Sequence, residues 1–110
     1  MITQAQFRDL ALGFPGSAQG SHFDVTDFRV GGKIFATLRE SDGRAVLKLS
    51  PDEQQLLMTT SSQLFQPVKG SWGAKGWTRV ILDQADEATI RHAMTMAWKS
   101  VAPAKKGGRA

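Results

Sequence analysis

Residues 28–49 read Phe28-Arg29-Val30-Gly31-Gly32-Lys33-Ile34-Phe35-Ala36-Thr37-Leu38-Arg39-Glu40-Ser41-Asp42-Gly43-Arg44-Ala45-Val46-Leu47-Lys48-Leu49. Gly31-Gly32 separates two apolar-rich runs and predicts a two-residue hairpin turn, because both central residues of a type I′ turn need positive φ. Ser41-Asp42-Gly43 marks a second turn. The runs between them predict strands over His22–Val30 (with an irregularity near Thr26-Asp27), Lys33–Arg39 and Arg44–Leu49. Together they make a three-stranded antiparallel meander.

Helical patterns flank this meander. Phe7, Leu10, Ala11 and Phe14 recur at i, i+3, i+4 and i+7, so a helix with one apolar face is expected from about Gln4 to Phe14. Thr3 and Gln6 have the spacing of a capping box. Residues 17–21 read as a polar loop. After the meander, Ser50-Pro51-Asp52-Glu53 is a helix start with a cap, a first-turn proline and two first-turn acids, running to about Thr60. A short strand over Gln66–Lys69, a Gly/Trp loop and a strand from Gly76 or Trp77 to Leu82 follow. The last helix begins at Asp86, or as early as Asp83, and carries the stripe Ile90, Ala93, Met94, Ala97, Trp98 and Val101. Pro103 stops it, and residues 104–110 are expected to form a disordered basic tail. The predicted class is α+β in the order α-β-β-β-α-β(β)-α, a single domain over residues 1–103.

Side chains alternate across a strand, which divides the sheet into two faces. Ile34, Ala36, Leu38, Ala45, Leu47, Leu49, Val80 and Leu82 form an aliphatic face suited to lie under the terminal helices. The other face takes Lys33, Phe35, Arg39, Arg44, Lys48, Trp77 and Arg79. Aromatic rings mixed with cations can stack bases and neutralise phosphates. A solvated sheet face also alternates polar and apolar residues, with long cationic stems over its apolar parts, so the composition fits both roles.

The chain has 110 residues, no cysteine and a net charge of +4. Disulfides and thiolate chemistry are thereby excluded, and a reducing, cytoplasmic setting is expected. No apolar run approaches the ~18 residues of a membrane span. Without Lys105, Lys106 and Arg109 the balance is eleven cations against ten acids, whereas residues 29–79 hold eight cations against four acids. The positive charge therefore concentrates in the middle of the chain and in the tail.

Gly70-Ser71-Trp72-Gly73-Ala74-Lys75-Gly76-Trp77 is neither a Walker loop nor a dinucleotide fingerprint, since a strand rather than a helix follows it. Its Gly-X-X-Gly spacing matches the backbone clamp of KH domains without their helical context. His22 near Asp24 and Asp27 could serve acid–base or metal chemistry, but a histidine at a strand start is more often structural. His92 falls off the apolar stripe of its helix. No set of catalytic side chains converges in the sequence, so no enzyme activity, cofactor or metal is expected.

Three strings carry a resemblance: Phe28-Arg-Val-Gly-Gly-Lys-Ile-Phe-Ala36, Leu47-Lys-Leu-Ser-Pro-Asp-Glu-Gln54 and Gly73-Ala-Lys-Gly-Trp-Thr-Arg-Val80. With Phe14-Pro15-Gly16 and Ala97-Trp98 they resemble the MmcQ/YjbR family over about residues 4–103. The resemblance implies a CyaY-like (frataxin-like) fold, an antiparallel sheet with the terminal helices packed on one face. It also implies a bacterial, double-wing DNA-binding protein. Positions matching the family include Arg29, Lys33, Lys48, Trp77 and Arg79. The expectation is thus a DNA-binding module, monomeric or weakly dimeric, using Arg29, Lys33, Arg39, Arg44, Lys48, Lys75, Trp77 and Arg79. The alternative is a small-molecule or protein-binding domain holding an anionic ligand at Arg79, Lys48 and Trp77.

Overall fold

The computed structural model describes residues 1–102. The expected basic tail and the Pro103 stop lie outside the described residues. Chain order is α1 (Gln4–Leu12), β1 (Ala18–His22), β2 (Val25–Val30), β3 (Lys33–Arg39), β4 (Arg44–Lys48), α2 (Pro51–Thr60), β5 (Phe65–Pro67), α3 (Ser71–Ala74), β6 (Trp77–Val80), a 3₁₀ turn (Leu82–Gln84) and α4 (Glu87–Val101). The strands form a six-stranded antiparallel sheet in the order β1-β2-β3-β4-β6-β5. The α+β class and the terminal helices on one sheet face agree with the sequence.

Local signals set the helix starts. Thr3 and Gln6 cap α1 reciprocally, as do Ser50 and Glu53 at α2, so two otherwise orphaned backbone donors are satisfied at each end. Asp86 caps α4 by accepting from the Thr89 amide. Gly31 and Gly32 take φ of 59° and 81°, as the hairpin turn between β2 and β3 requires. Phe7, Phe28, Phe35, Leu38, Leu47, Ile90 and Met94 are fully buried between the sheet and α1/α4.

Four sequence expectations change. Residues 18–22 form the edge strand β1 rather than a loop; exposed on both sides, they show no apolar alternation. The expected first strand is interrupted at Phe23, whose φ is 56°, and its irregularity lies further on, at Phe28/Arg29. The final strand ends at Val80, with a 3₁₀ turn replacing its expected end.

The fourth change concerns the two faces. Phe28 pairs with Ala36 and Arg29 with Ile34, so Phe35 is an extra residue on β3, a β-bulge. The bulge reverses the alternation before it. Phe35 turns into the core, where Phe14 meets it edge-on at 6.1 Å and stacks in turn on Trp98 at 5.7 Å. Ile34 moves to the open face. Lys33, paired with the buried Val30, leaves that face for the hairpin tip.

Candidate functional site

Cross-strand partners share a face, so the register defines the open side of the sheet. It carries Asp27 and Arg29 on β2, Ile34, Thr37 and Arg39 on β3, Arg44, Val46 and Lys48 on β4, and Trp77 and Arg79 on β6. Seven of the eight expected site residues thus fall on or beside one face, Lys75 entering from the loop. Lys33 sits apart.

Their charges are in different states. Arg29 donates twice to the buried Asp27, at 2.7 and 3.1 Å. Arg39 grips Asp42 in the same two-pronged way, at 3.0 and 2.7 Å. That hydrogen-bonded pairing holds the Asp42 carboxyl down at about 2. Both guanidinium groups are therefore engaged, with their own pKa values raised. Lys48 Nζ lies 3.3 Å from the carbonyls of Leu49 and Lys75 and 6.0 Å from the Trp77 ring centre. Lys75 Nζ lies 5.4 Å from the Trp72 ring centre. Arg44, Lys48, Lys75 and Arg79 form no ion pair with a described residue.

The register also polarises the sheet along its strands. One end gathers Arg29, Lys33, Lys48 and Lys75, with Asp52 and Glu53 at the nearby start of α2. The other mixes Asp24, Glu40 and Asp42 with Arg39 and its cross-strand partner Arg44, and Arg8 of α1 pairs with Glu40. Ser100 near the end of α4 donates to the Lys48 carbonyl, so the last described turn reaches the cationic end.

The Gly/Trp loop folds into the single helical turn α3 and overhangs the open face. Trp72 and Trp77 meet edge to face at 6.0 Å and 79°. With Ile34, Thr37, Val46 and Val68 they line an open, almost wholly apolar cleft of about 300 Å³, which Arg44 also borders. Trp72 is 58% exposed. Arg79, paired across the sheet with the cleft residue Val46, lines a separate depression that Asp42 and Asp83 also border.

Close backbone packing fixes the loop. A Cβ on Gly73 would lie 1.9 Å from the Val68 carbonyl oxygen, and one on Gly76 1.8 Å from that of Leu49. Side chains are excluded at both positions. The buried Gln54 amide nitrogen sits 3.0 Å from the Gly73 carbonyl, 3.2 Å from that of Trp77 and 3.0 Å from Thr78 Oγ1. Thr78 donates onward to the Gly76 carbonyl. Gln54 therefore positions both tryptophans without facing the cleft, a role the sequence reading did not assign. The signal was a polar residue one turn before the buried Leu57 on the inner side of α2.

His22 is exposed, and Asp27, its expected partner, is committed to Arg29. Among the described residues no three His, Asp or Glu side chains gather as a metal cage. No described helix is long and apolar enough to cross a membrane.

Comparison with known proteins adds the following. The YjbR family model matches residues 12–100. The crystal structure of Deinococcus radiodurans protein DR2400, which carries a DUF419 domain, superposes with a TM-score of 0.75 at 21% identity, covering 89% of this chain and 77% of that one. At that identity the likeness concerns the fold. No curated protein matches the chain significantly.

Proposed function

The chain belongs to the YjbR family, and from that premise we propose that it is a non-enzymatic DNA-binding module whose ligand lies on the open sheet face. One observation carries the reading: Arg44, Lys48 and Lys75, which form no ion pair among the described residues, stand beside the cleft and the rings of Trp72 and Trp77, with Arg79 on the same sheet face. Phosphate contacts need such uncommitted cations, and the rings offer stacking surfaces that any base can use. The fold itself says little about ligand choice; the side chains on this face supply the argument. In this reading the protein acts in the cytoplasm as a monomer or weak dimer, and Lys105, Lys106 and Arg109 add charge to the same encounter.

A salt titration tests the reading. Labelled mixed duplex and single-stranded DNA are bound at ~50 mM salt and the salt is raised; affinity should fall with a logarithmic slope of about −0.9 for each phosphate neutralised on duplex DNA. No binding at low salt, or an affinity indifferent to salt, overturns it. The cleft favours a second reading, a small anionic ligand with an apolar ring. Its volume of about 300 Å³ is at the lower end of the ~300–1,000 Å³ range of small-molecule sites. Tight binding of a mononucleotide with little salt dependence would mark that case.

A further inference from the structure

Resting on the DNA-binding reading, we propose that the ligand is a single strand, and that one unstacked base enters the apolar cleft that Trp72 and Trp77 line with Ile34, Val46 and Val68, while the neighbouring phosphates meet Lys48, Lys75 and Arg44. The cleft and its rim differ in chemistry. Its interior is almost wholly apolar and includes no carboxylate, whereas cations stand at its edge. A duplex presents phosphates and the polar edges of its bases, which have little use for an apolar hollow. A single strand offers a ring with two π faces and a charge on each side of it, matching an apolar centre with a cationic border.

Rigidity supports the same ligand. Trp72 is 58% exposed, yet its loop is held by the Gln54 hydrogen bonds and by the contacts that exclude a Cβ at Gly73 and Gly76. A large aromatic fixed in the open needs no ordering when a base stacks on it, so little conformational entropy opposes binding. Each indole is also accompanied by its own lysine, Lys75 at Trp72 and Lys48 at Trp77. Cleft size limits the insertion to one ring.

The test compares four probes by fluorescence anisotropy at ~50 mM salt: a thymine strand of about 12 nucleotides, within the ~4–16 typical of single-strand sites, an abasic strand of equal length, the matching duplex and thymidine monophosphate as competitor. The thymine strand should bind about tenfold or more tighter than the abasic strand. Trp72→Ala should bring the thymine strand to the abasic level and leave the abasic strand unchanged, while Trp72→Phe retains most of the preference. Equal binding of thymine and abasic strands, or duplex binding as tight as the thymine strand, overturns the base seat and leaves the DNA reading standing. Competition by the monophosphate as strong as by the strand overturns the strand assignment in favour of a small ligand. No binding by any probe removes both. Trp72 is exposed, so unchanged circular dichroism is expected of both variants.

Discussion

Gln54 on α2 places its amide nitrogen 3.0 Å from the Gly73 carbonyl oxygen, nineteen residues away in a loop that no other helix supports by a side-chain hydrogen bond among the described residues. The same nitrogen reaches Trp77 and Thr78. Buried and shared among three acceptors, this amide joins α2 to the segment carrying both cleft tryptophans. Gln54→Leu keeps the volume and removes three hydrogen bonds, leaving the Gly73 and Trp77 carbonyls only their backbone donors, Gly76 and Val68. It should destabilise the protein by about 1–3 kcal/mol. Thermal denaturation checks the stability, and faster amide exchange confined to residues 70–78 would show the loop loosening.

Gly76 and Gly31 make a controlled pair, since both have positive φ, 108° and 59°. A Cβ at Gly31 meets nothing within 4 Å, whereas at Gly76 it meets the Leu49 carbonyl at 1.8 Å. Gly31→Ala should therefore cost only the left-handed conformation, about 1–2 kcal/mol. Gly76→Ala adds a backbone clash that no side-chain motion relieves, and should exceed ~4 kcal/mol, the range reserved for severe disruption. Similar midpoints for the two variants in urea would contradict the packing described for the loop.

Phe35 tests the bulge. On strict alternation it would lie on the open face, where truncation costs little. Seated in the core against Phe14, it should lose about 3–5 kcal/mol on substitution by alanine. The measured value decides between the two placements.

What could be read from the sequence was local. The Thr3/Gln6 and Ser50/Glu53 boxes and the Gly31-Gly32 turn depend on residues within four positions, and each forms as expected. The mixture of cations and tryptophan on one face was legible for the same reason. Strand β1 was not, because Ala18-Gln-Gly-Ser-His22 is defined by its partner: a Cβ at Gly20 would stand 2.8 Å from Asp27 Oδ1, so the glycine leaves room for the carboxylate that Arg29 binds. The face of Phe35 depends on how β2 and β3 align, and that bulge leaves no mark in either strand alone. Gln54 was missed because its acceptors are brought in by a close approach of distant backbone. The apolar cleft had no sequence signature either, since Ile34, Val46, Val68 and the tryptophans come from four separate segments.

The Arg39–Asp42 pair should be visible by titration. Asp42 is held down at about 2 in the folded state, from an ordinary 3.8. A depressed carboxyl stabilises the fold above its ordinary value and loses that contribution as pH falls through the folded one. The effect of this pair should therefore fade between about pH 4 and pH 2. In carbon-detected NMR, Asp42 of the intact protein should titrate near 2, and Arg39→Gln should return it towards 3.8. An unmoved Asp42 titration in that variant would show that the guanidinium is not its main partner.

The same ion pairs sort the cations of the open face by what they can give to DNA. Arg29 and Arg39 already hold carboxylates, so a phosphate must compete with Asp27 and Asp42. Arg44 and Arg79 form no ion pair among the described residues, although Arg79 shares a depression with Asp42 and Asp83, and Lys48 makes only two long backbone contacts. Removing an engaged cation also frees its acid, adding a negative charge to the face, which complicates a simple alanine comparison. Paired variants solve this: Arg29→Ala with Asp27→Asn, and Arg39→Ala with Asp42→Asn, delete whole ion pairs. Neither double variant should change the salt slope of DNA binding appreciably, apart from stability lost through the buried Asp27. Arg44→Ala with Arg79→Ala should reduce its magnitude by about 1.4 to 1.8, from ~0.7 for each contact on single strands to ~0.9 on duplex DNA. If deleting the paired arginines flattens the slope as much as deleting the free ones, the ligand approaches the sheet from the β2 side and the cleft is not its centre.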